Sequence, residues 1–504
     1  MKQGIKNKNI LFLGLAVLLV MHVIGFSIMP LPDPSEARYA VIAKHMAESG
    51  NYIMPMIWIK GELIPFMSKP PFAFWIMTGA INFFGANELA VRFPTFIAGL
   101  LMLILMFYVL KRYKGVYYAI ISTLITATSG GFYLMSGMSL VDMWLCLFST
   151  GAIFLYYGFI FESKKSLKKL YSLLIFLFLG LGFLTKGPVC LIYFGVPIFI
   201  WTLIHKRWNS LRDHAWFFGS ALFLIITLPW FIMAEQNTPG YLRQFFLYEN
   251  LMRFLSPDKS HDLYSSVSHY LPPGTAMVYL LLVFMPWTLI VPLYYAWKKK
   301  SIKIFQQILK EYYIAFRKKM RQKENVNFAF FSTATVSITL FWCLSSHIMA
   351  YYLVPIIPLL AVWCTTIMRK IHFPVKYTIK ISLVLFVTYA IAYIPGFFIV
   401  NAFSSTKEII TTAQQIRNDR QLHGKIIFVR RIKYSSYFYG QGLVLPHPKE
   451  KVTESFSHIS LGRKNENIYI FLMKYLKRIP NPENIKILYK NHKWGIAIRK
   501  SIKK

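Results

Sequence analysis

Eleven apolar runs of roughly membrane-crossing length divide this chain, and they constrain its fold more than any other feature. A helix needs about 20 predominantly apolar residues to cross a bilayer core, and lipid leaves no partner for an unpaired backbone group. Read this way, the sequence predicts helices near 10–29, 89–110, 115–135, 141–161, 168–185, 188–204, 214–234, 274–297, 327–345, 349–368 and 378–400. The fold class expected is therefore an α-helical polytopic membrane protein, residues 1–400, with a first outer loop at 30–88. A composition 56% hydrophobic and only 15% charged excludes an ordinary soluble domain.

The net charge of +37 does not point to nucleic acid. Its basic residues stand in short runs between apolar segments: Lys111-Arg112-Tyr113-Lys114, Lys164-Lys165 with Lys168-Lys169, His205-Lys206-Arg207, the stretch from Lys298 to Lys323, and Arg369-Lys370. With eleven spans, all of these fall on the side of the N-terminus, as the excess of cytoplasmic lysine and arginine requires. Residues 30–88, 235–273 and 401–504 are then expected on the outer face, and 298–325 along the cytoplasmic headgroups. The N-terminal run is too long for a signal peptide and has no small-residue cleavage site, so it reads as an uncleaved first span. Cys146, Cys190, Cys343 and Cys364 lie inside apolar stretches without a CxxC pair and read as small buried hydrophobes.

From Asn401 the pattern changes. Residues 425–429, 467–472 and 486–489 read as short strands and 406–417 as a helix, which predicts a small α/β domain outside the membrane over 401–504.

The acid and base pattern is densest in the first outer loop. Asp33-Pro34-Ser35-Glu36 fits a helix start, with Asp33 as N-cap, Pro34 at the first helical position and Glu36 at the third. The same residues offer a carboxylate base at Glu36 or Asp33 beside Arg38, a natural phosphate ligand. Ser68-Lys69-Pro70-Pro71 projects the Lys69 ammonium from a backbone stiffened by two prolines. Asp142 at a helix start and Lys186 before Gly187-Pro188 are expected on the same face, each also readable as a dipole-favoured or snorkelling residue. The loop at 235–273 adds Arg243, Glu249, Arg253, His261 and His269, of which His261 is the candidate ligand for a divalent metal. A polar hairpin from Ser345 through His347 to Tyr352 returns to that side.

These residues resemble the GT-C glycosyltransferases that use polyprenyl-phosphate sugars, with most likeness to the lipid A aminoarabinose transferases and the protein mannosyltransferases. The resemblance rests on DPSEARYA, SKPP, Asn87 to Pro94, Val141-Asp142-Met143, Gly182 to Pro188, Leu228-Pro229-Trp230, Glu249 to Leu255 and Tyr352 to Pro358, in that order. It implies an enzyme of the bacterial inner membrane that moves a sugar from undecaprenyl phosphate to lipid A or another surface glycoconjugate at the periplasmic face. It implies Glu36, Asp33 and Asp142 as catalytic carboxylates, and Lys69, Lys186, Arg38 and Arg253 as carrier-phosphate ligands. Tyr39, Tyr352 and His347 would then line the substrate pocket. Two departures stand out: Ser35 holds the place of the family's first-loop acid, leaving Asp33 and Glu36 as alternatives, and Ser68 replaces a metal-binding glutamate, which weakens a site at His261. A transporter or flippase of lipid-linked sugars, or a membrane assembly protein, is the competing reading.

Overall fold

The computed structural model describes residues 17–59, 62–212, 214–255, 271–299, 326–345, 347–428, 433–440, 443–446, 467–473, 485–491 and 493–499. The chain divides into two compact units. The first comprises 1–23, 67–76 and 92–391; the second comprises 24–66, 77–91 and 392–504.

The first unit is helical. Among the described residues seven helices of the chain are long and apolar enough to cross a membrane: Glu88–Tyr113, Asp142–Phe161, Lys165–Lys186, Pro188–His205, Trp216–Asn237, Ala350–Lys370 and Val375–Ser404. Two more crossings arise if each of two bent pairs counts as one, Val116–Thr128 with Gly130–Ser136 and Thr275–Val283 with Trp287–Trp297. The expected count of eleven is not confirmed: among the described residues seven helices meet that length and composition, or nine with the bent pairs. The other two expected spans are helical where described but short, at Val17–Ile28 and Ala329–Cys343. The expected surface stretch 298–325 lies almost wholly outside the described residues.

The two breaks, bent by 70° and 81°, are satisfied by each other. Each break frees backbone groups that lipid cannot satisfy, so they must find partners within the protein. Gly130 N–H donates to the carbonyl of Met285 at 2.7 Å, and Trp287 Nε1 donates to Thr128 Oγ1 at 3.0 Å, so one break serves the other. A side chain at Gly131 would meet Val283 Cβ at 2.5 Å, so glycine there permits the close approach of the two broken segments. In Asp142–Phe161 a π-helical turn at Cys146–Thr150 lets Thr150 Oγ1 reach the carbonyl of Pro355 at 2.6 Å.

The second unit joins the tail to the first loop. Its loop helix, Ser35–Ser49, buries Ala37, Ala40, Val41, Ile42, Ala43 and Met46, and ends at Gly50, whose left-handed φ of 69° lets its N–H close on Met46 at 3.0 Å. A hairpin follows, β1 (Met56–Ile59) antiparallel to β2 (Glu62–Pro65). Thr78 ties the helix Phe72–Phe84 back to the loop helix by donating to the carbonyl of Ala43 at 3.0 Å. The tail forms a five-stranded sheet from β3 (Ile426–Phe428), β4 (Val444–Pro446), β5 (Ile468–Leu472), β6 (Ile485–Lys490) and β7 (Trp494–Arg499), in the order β4-β3-β5-β7-β6. The first three strands are parallel and the last two pairings antiparallel. Helix Lys407–Asp419 covers the sheet with Ile409, Ile410 and Ala413. The three strands and the helix read from the sequence are all present. β4, β7 and a six-residue helix at Tyr434–Tyr439 are additions.

Candidate functional site in the helical unit and the loop helix

In the helical unit, Asp142 stands at a helix start and Lys186 at the end of Lys165–Lys186. They are 44 residues apart in sequence, yet Lys186 Nζ donates to Asp142 Oδ1 at 2.5 Å, with side chains only 6% and 2% exposed. The same ammonium lies 4.0 Å from the centroid of the Tyr352 ring. Tyr352 is held in turn: its carbonyl accepts from Tyr193 Oη, which accepts from Trp342 Nε1 at 2.6 Å. His347 is buried nearby in sequence, its carbonyl accepting from Ser345 Oγ at 2.9 Å. Lys186 therefore spends its charge on Asp142 and on an aromatic face in this state.

The second cluster of this unit is built on Ser68. Its hydroxyl donates to Glu249 Oε2 at 2.7 Å, across 181 residues of sequence, and Arg253 Nη1 reaches the same oxygen at 3.1 Å. Lys69 Nζ donates to the Ser68 carbonyl at 2.8 Å and to its hydroxyl at 3.1 Å. Ser68 and Glu249 are buried, whereas Lys69 and Arg253 are partly exposed. An ammonium, a guanidinium and a carboxylate thus gather on Ser68, with both cations partly exposed. That donor set suits a phosphate. Glu249 and Arg253 flank the end of a π-helical segment, Arg243–Met252. That segment is seated by Gly187: with φ of 71°, a side chain there would meet Phe245 Cζ at 2.4 Å. The close approach links the Lys186-Gly187-Pro188 corner to the Ser68 cluster.

In the second unit, Glu36 and Tyr39 are buried on the loop helix and Arg38 is half-buried. The Arg38 guanidinium lies 5.4 Å from the Tyr39 ring centroid and 5.7 Å from that of Phe66, within cation–π range of both. Asp33 departs from the expected N-cap. Helix Ser35–Ser49 starts without a side-chain cap, and Asp33 turns to the tail instead. Its Oδ1 accepts the Ser435 N–H at 3.1 Å and its Oδ2 accepts the Ser435 hydroxyl. Burial pushes the Asp33 carboxyl up, against the downward pull of the Ser435 donors and of Lys433.

For a metal, the described residues offer no group of three His, Cys, Asp or Glu in ligand geometry. At Ser68 the donors are one hydroxyl and one carboxylate already paired with an arginine, too few and too encumbered for a divalent cation. His261 and His269 lie outside the described residues. Sequence reasoning missed the Ser68–Glu249 contact altogether. The one available signal was the serine itself, a small donor before Lys69 that needs an acceptor from elsewhere.

Residues 31–243 match the family model of dolichyl-phosphate-mannose-protein mannosyltransferase. The chain is 30% identical over 287 residues to the undecaprenyl phosphate-alpha-4-amino-4-deoxy-L-arabinose arabinosyl transferase of Edwardsiella ictaluri, covering 55% of this chain and 48% of that protein. It is 26% identical over 364 residues to arabinosyl transferase 2 of the same description from Pseudomonas fluorescens, covering 68% and 56%. The chain thus spans about half the length of the curated relatives it matches. The crystal structure of ArnT from Cupriavidus metallidurans bound to undecaprenyl phosphate superposes with a TM-score of 0.72 at 17% identity, over 97% of this chain and 98% of that one. The chain is therefore a multi-pass membrane protein with the GT-C fold, and its residues 31–243 are similar to the protein mannosyltransferase family model.

Proposed function

We propose that this protein is a glycosyltransferase that moves a sugar from undecaprenyl phosphate to lipid A or a similar surface glycoconjugate. The observation that carries the reading is the gathering of Lys69 and Arg253 on one Ser68–Glu249 bridge. When the bond from the anomeric carbon to the carrier oxygen breaks, the electron pair stays on the leaving phosphate. Lys69 and Arg253 neutralise it there, where preorganised donors act most strongly. The acceptor oxygen forms the new bond to the anomeric carbon. Glu36 takes the proton if that oxygen belongs to a hydroxyl, and orients sugar hydroxyls if it belongs to a phosphate. Arg38 assists with phosphate charge, and Tyr39, Tyr352 and His347 are assigned to substrate contacts. Asp142 and Lys186 serve as a pair, the carboxylate holding the ammonium ready beside Tyr352.

The relatives' names support the donor and the fold match supports the architecture. The bacterial inner membrane, a periplasmic site, a cytoplasmic N-terminus and a periplasmic C-terminus complete the proposal. Transporters place polar and charged groups on their discontinuous helices. The two bent pairs here, Val116–Ser136 and Thr275–Trp297, contain no ionisable acid or base, which favours the enzyme. The test is mass spectrometry of lipid A from cells carrying the wild-type gene, no gene, or the Glu36→Gln or Lys69→Ala variant. A sugar-sized mass addition is expected with wild type only. The same addition with both variants at normal expression contradicts the assignment.

A further inference from the structure

The six-residue helix Tyr434–Tyr439 is too short to persist alone, and both of its ends are satisfied by side chains of the first loop. At the N-terminal end sits the Asp33 carboxylate, both oxygens accepting from Ser435. At the C-terminal end, Lys44 Nζ donates to the carbonyl of Phe438 at 2.7 Å and approaches that of Tyr437 at 3.5 Å. An anion at the start and a cation at the end is the arrangement the helix dipole favours. The side chain of Lys44 is 7% exposed, and its ammonium lies 3.6 Å from the Glu48 carboxylate. Between the two ends, Trp58 of β1 stacks on Tyr437 with ring centroids 5.5 Å apart and planes at 12°. Ser435 Oγ is itself braced by the Thr406 N–H at 3.1 Å.

We propose that Asp33 and Lys44 are positioning residues: they clamp the tail helix between them, and through it hold the loop helix Ser35–Ser49 in the orientation that presents Glu36 and Arg38. This rests on the proposed role of that helix in transfer. Asp33 then contributes through Ser435 and not by touching a sugar, since both of its oxygens are already engaged.

The clamp makes a specific prediction about additivity. Asp33 and Lys44 are eleven positions apart, about 16 Å along a helix. Sites so far apart with no shared partner give independent effects, whereas two ends of one clamp do not. The test uses the purified full-length chain with undecaprenyl phosphate-linked 4-amino-4-deoxy-arabinose as donor and lipid A as acceptor. Asp33→Asn and Lys44→Met are each expected to lower kcat about tenfold with donor KM within about twofold. The double variant is expected to be no slower than the slower single, and Lys44→Arg to recover most of the loss. Losses that multiply to roughly a hundredfold, or a single variant with unchanged kcat, overturn the proposal. Hydrogen exchange at residues 434–440 gives a reading independent of turnover. Faster exchange is expected in each single variant with no further rise in the double; wild-type exchange in either single also overturns the clamp. If the wild type itself shows no transfer, the functional reading fails while exchange still decides the clamp.

Discussion

Replacing Asp142 by asparagine leaves the Lys186 ammonium in a site where its side chain is only 6% exposed. The Tyr352 ring, 4.0 Å away, is then its main stabilising neighbour. A cation over an aromatic face is worth about 2 kcal/mol when desolvated, less than the pairing it replaces. Breaking a buried ion pair by removing one partner costs about 3–5 kcal/mol, because the remaining charge stays buried. At 1.4 kcal/mol per decade, that corresponds to roughly two to three and a half decades in the folded-to-unfolded ratio. Asp142→Asn should therefore lower the thermal unfolding midpoint of the detergent-solubilised protein by about 3–5 °C. Removing both charges gives the sharper result. In Asp142→Asn/Lys186→Met no charge is left stranded, and replacing a whole buried pair by apolar groups is often neutral. The double variant should recover most of the lost midpoint while remaining inactive in transfer. A single variant as stable as wild type, or a double variant as unstable as the single, refutes the account of this pair as a mutually dependent buried unit.

Ser68→Ala removes the 2.7 Å hydrogen bond that joins Lys69 to the Glu249–Arg253 pair. A hydrogen bond to a charged group contributes about 1.5–3 kcal/mol, so donor KM should rise roughly 10- to 100-fold with a smaller change in kcat. Ser68→Thr should restore it. Transfer kinetics that show a fall in kcat at constant KM contradict a role in holding the carrier phosphate. At the other end of Asp142–Phe161, the Glu162 carboxyl is held down to about 2 by the Lys164 N–H, the Tyr113 hydroxyl and then Arg112. A folded value below the unfolded one means this group contributes stability above about pH 4.5 that is lost as pH falls toward 2. Glu162→Gln should flatten the stability profile across that acid range in thermal unfolding scans, leaving the profile at neutral pH parallel to wild type.

The apolar runs were enough to place the helices, because backbone desolvation in lipid leaves no other structure for a 20-residue apolar stretch. They did not decide which helices run unbroken. The breaks at Ser129 and before Trp287 depend on Gly130 finding Met285 and Trp287 finding Thr128, partners more than 150 residues away. The tail strands showed themselves by alternation and β-branched content, yet β4 is three residues long and β7 contains a glycine, so neither carried enough pattern to be seen. Among the candidate site residues, the sequence alone determined which carry charge: Glu36, Lys69, Asp142, Lys186 and Arg253 stand out because charge beside long apolar runs is costly. Only the tertiary structure decided whom each one meets. Lys186 pairs with Asp142, Ser68 brings Lys69 to Glu249, and Asp33 reaches Ser435 across 402 residues of chain. Periodicity reports the face of an element, which is a local property, whereas these pairings are set by how elements pack, and that depends on the whole chain at once.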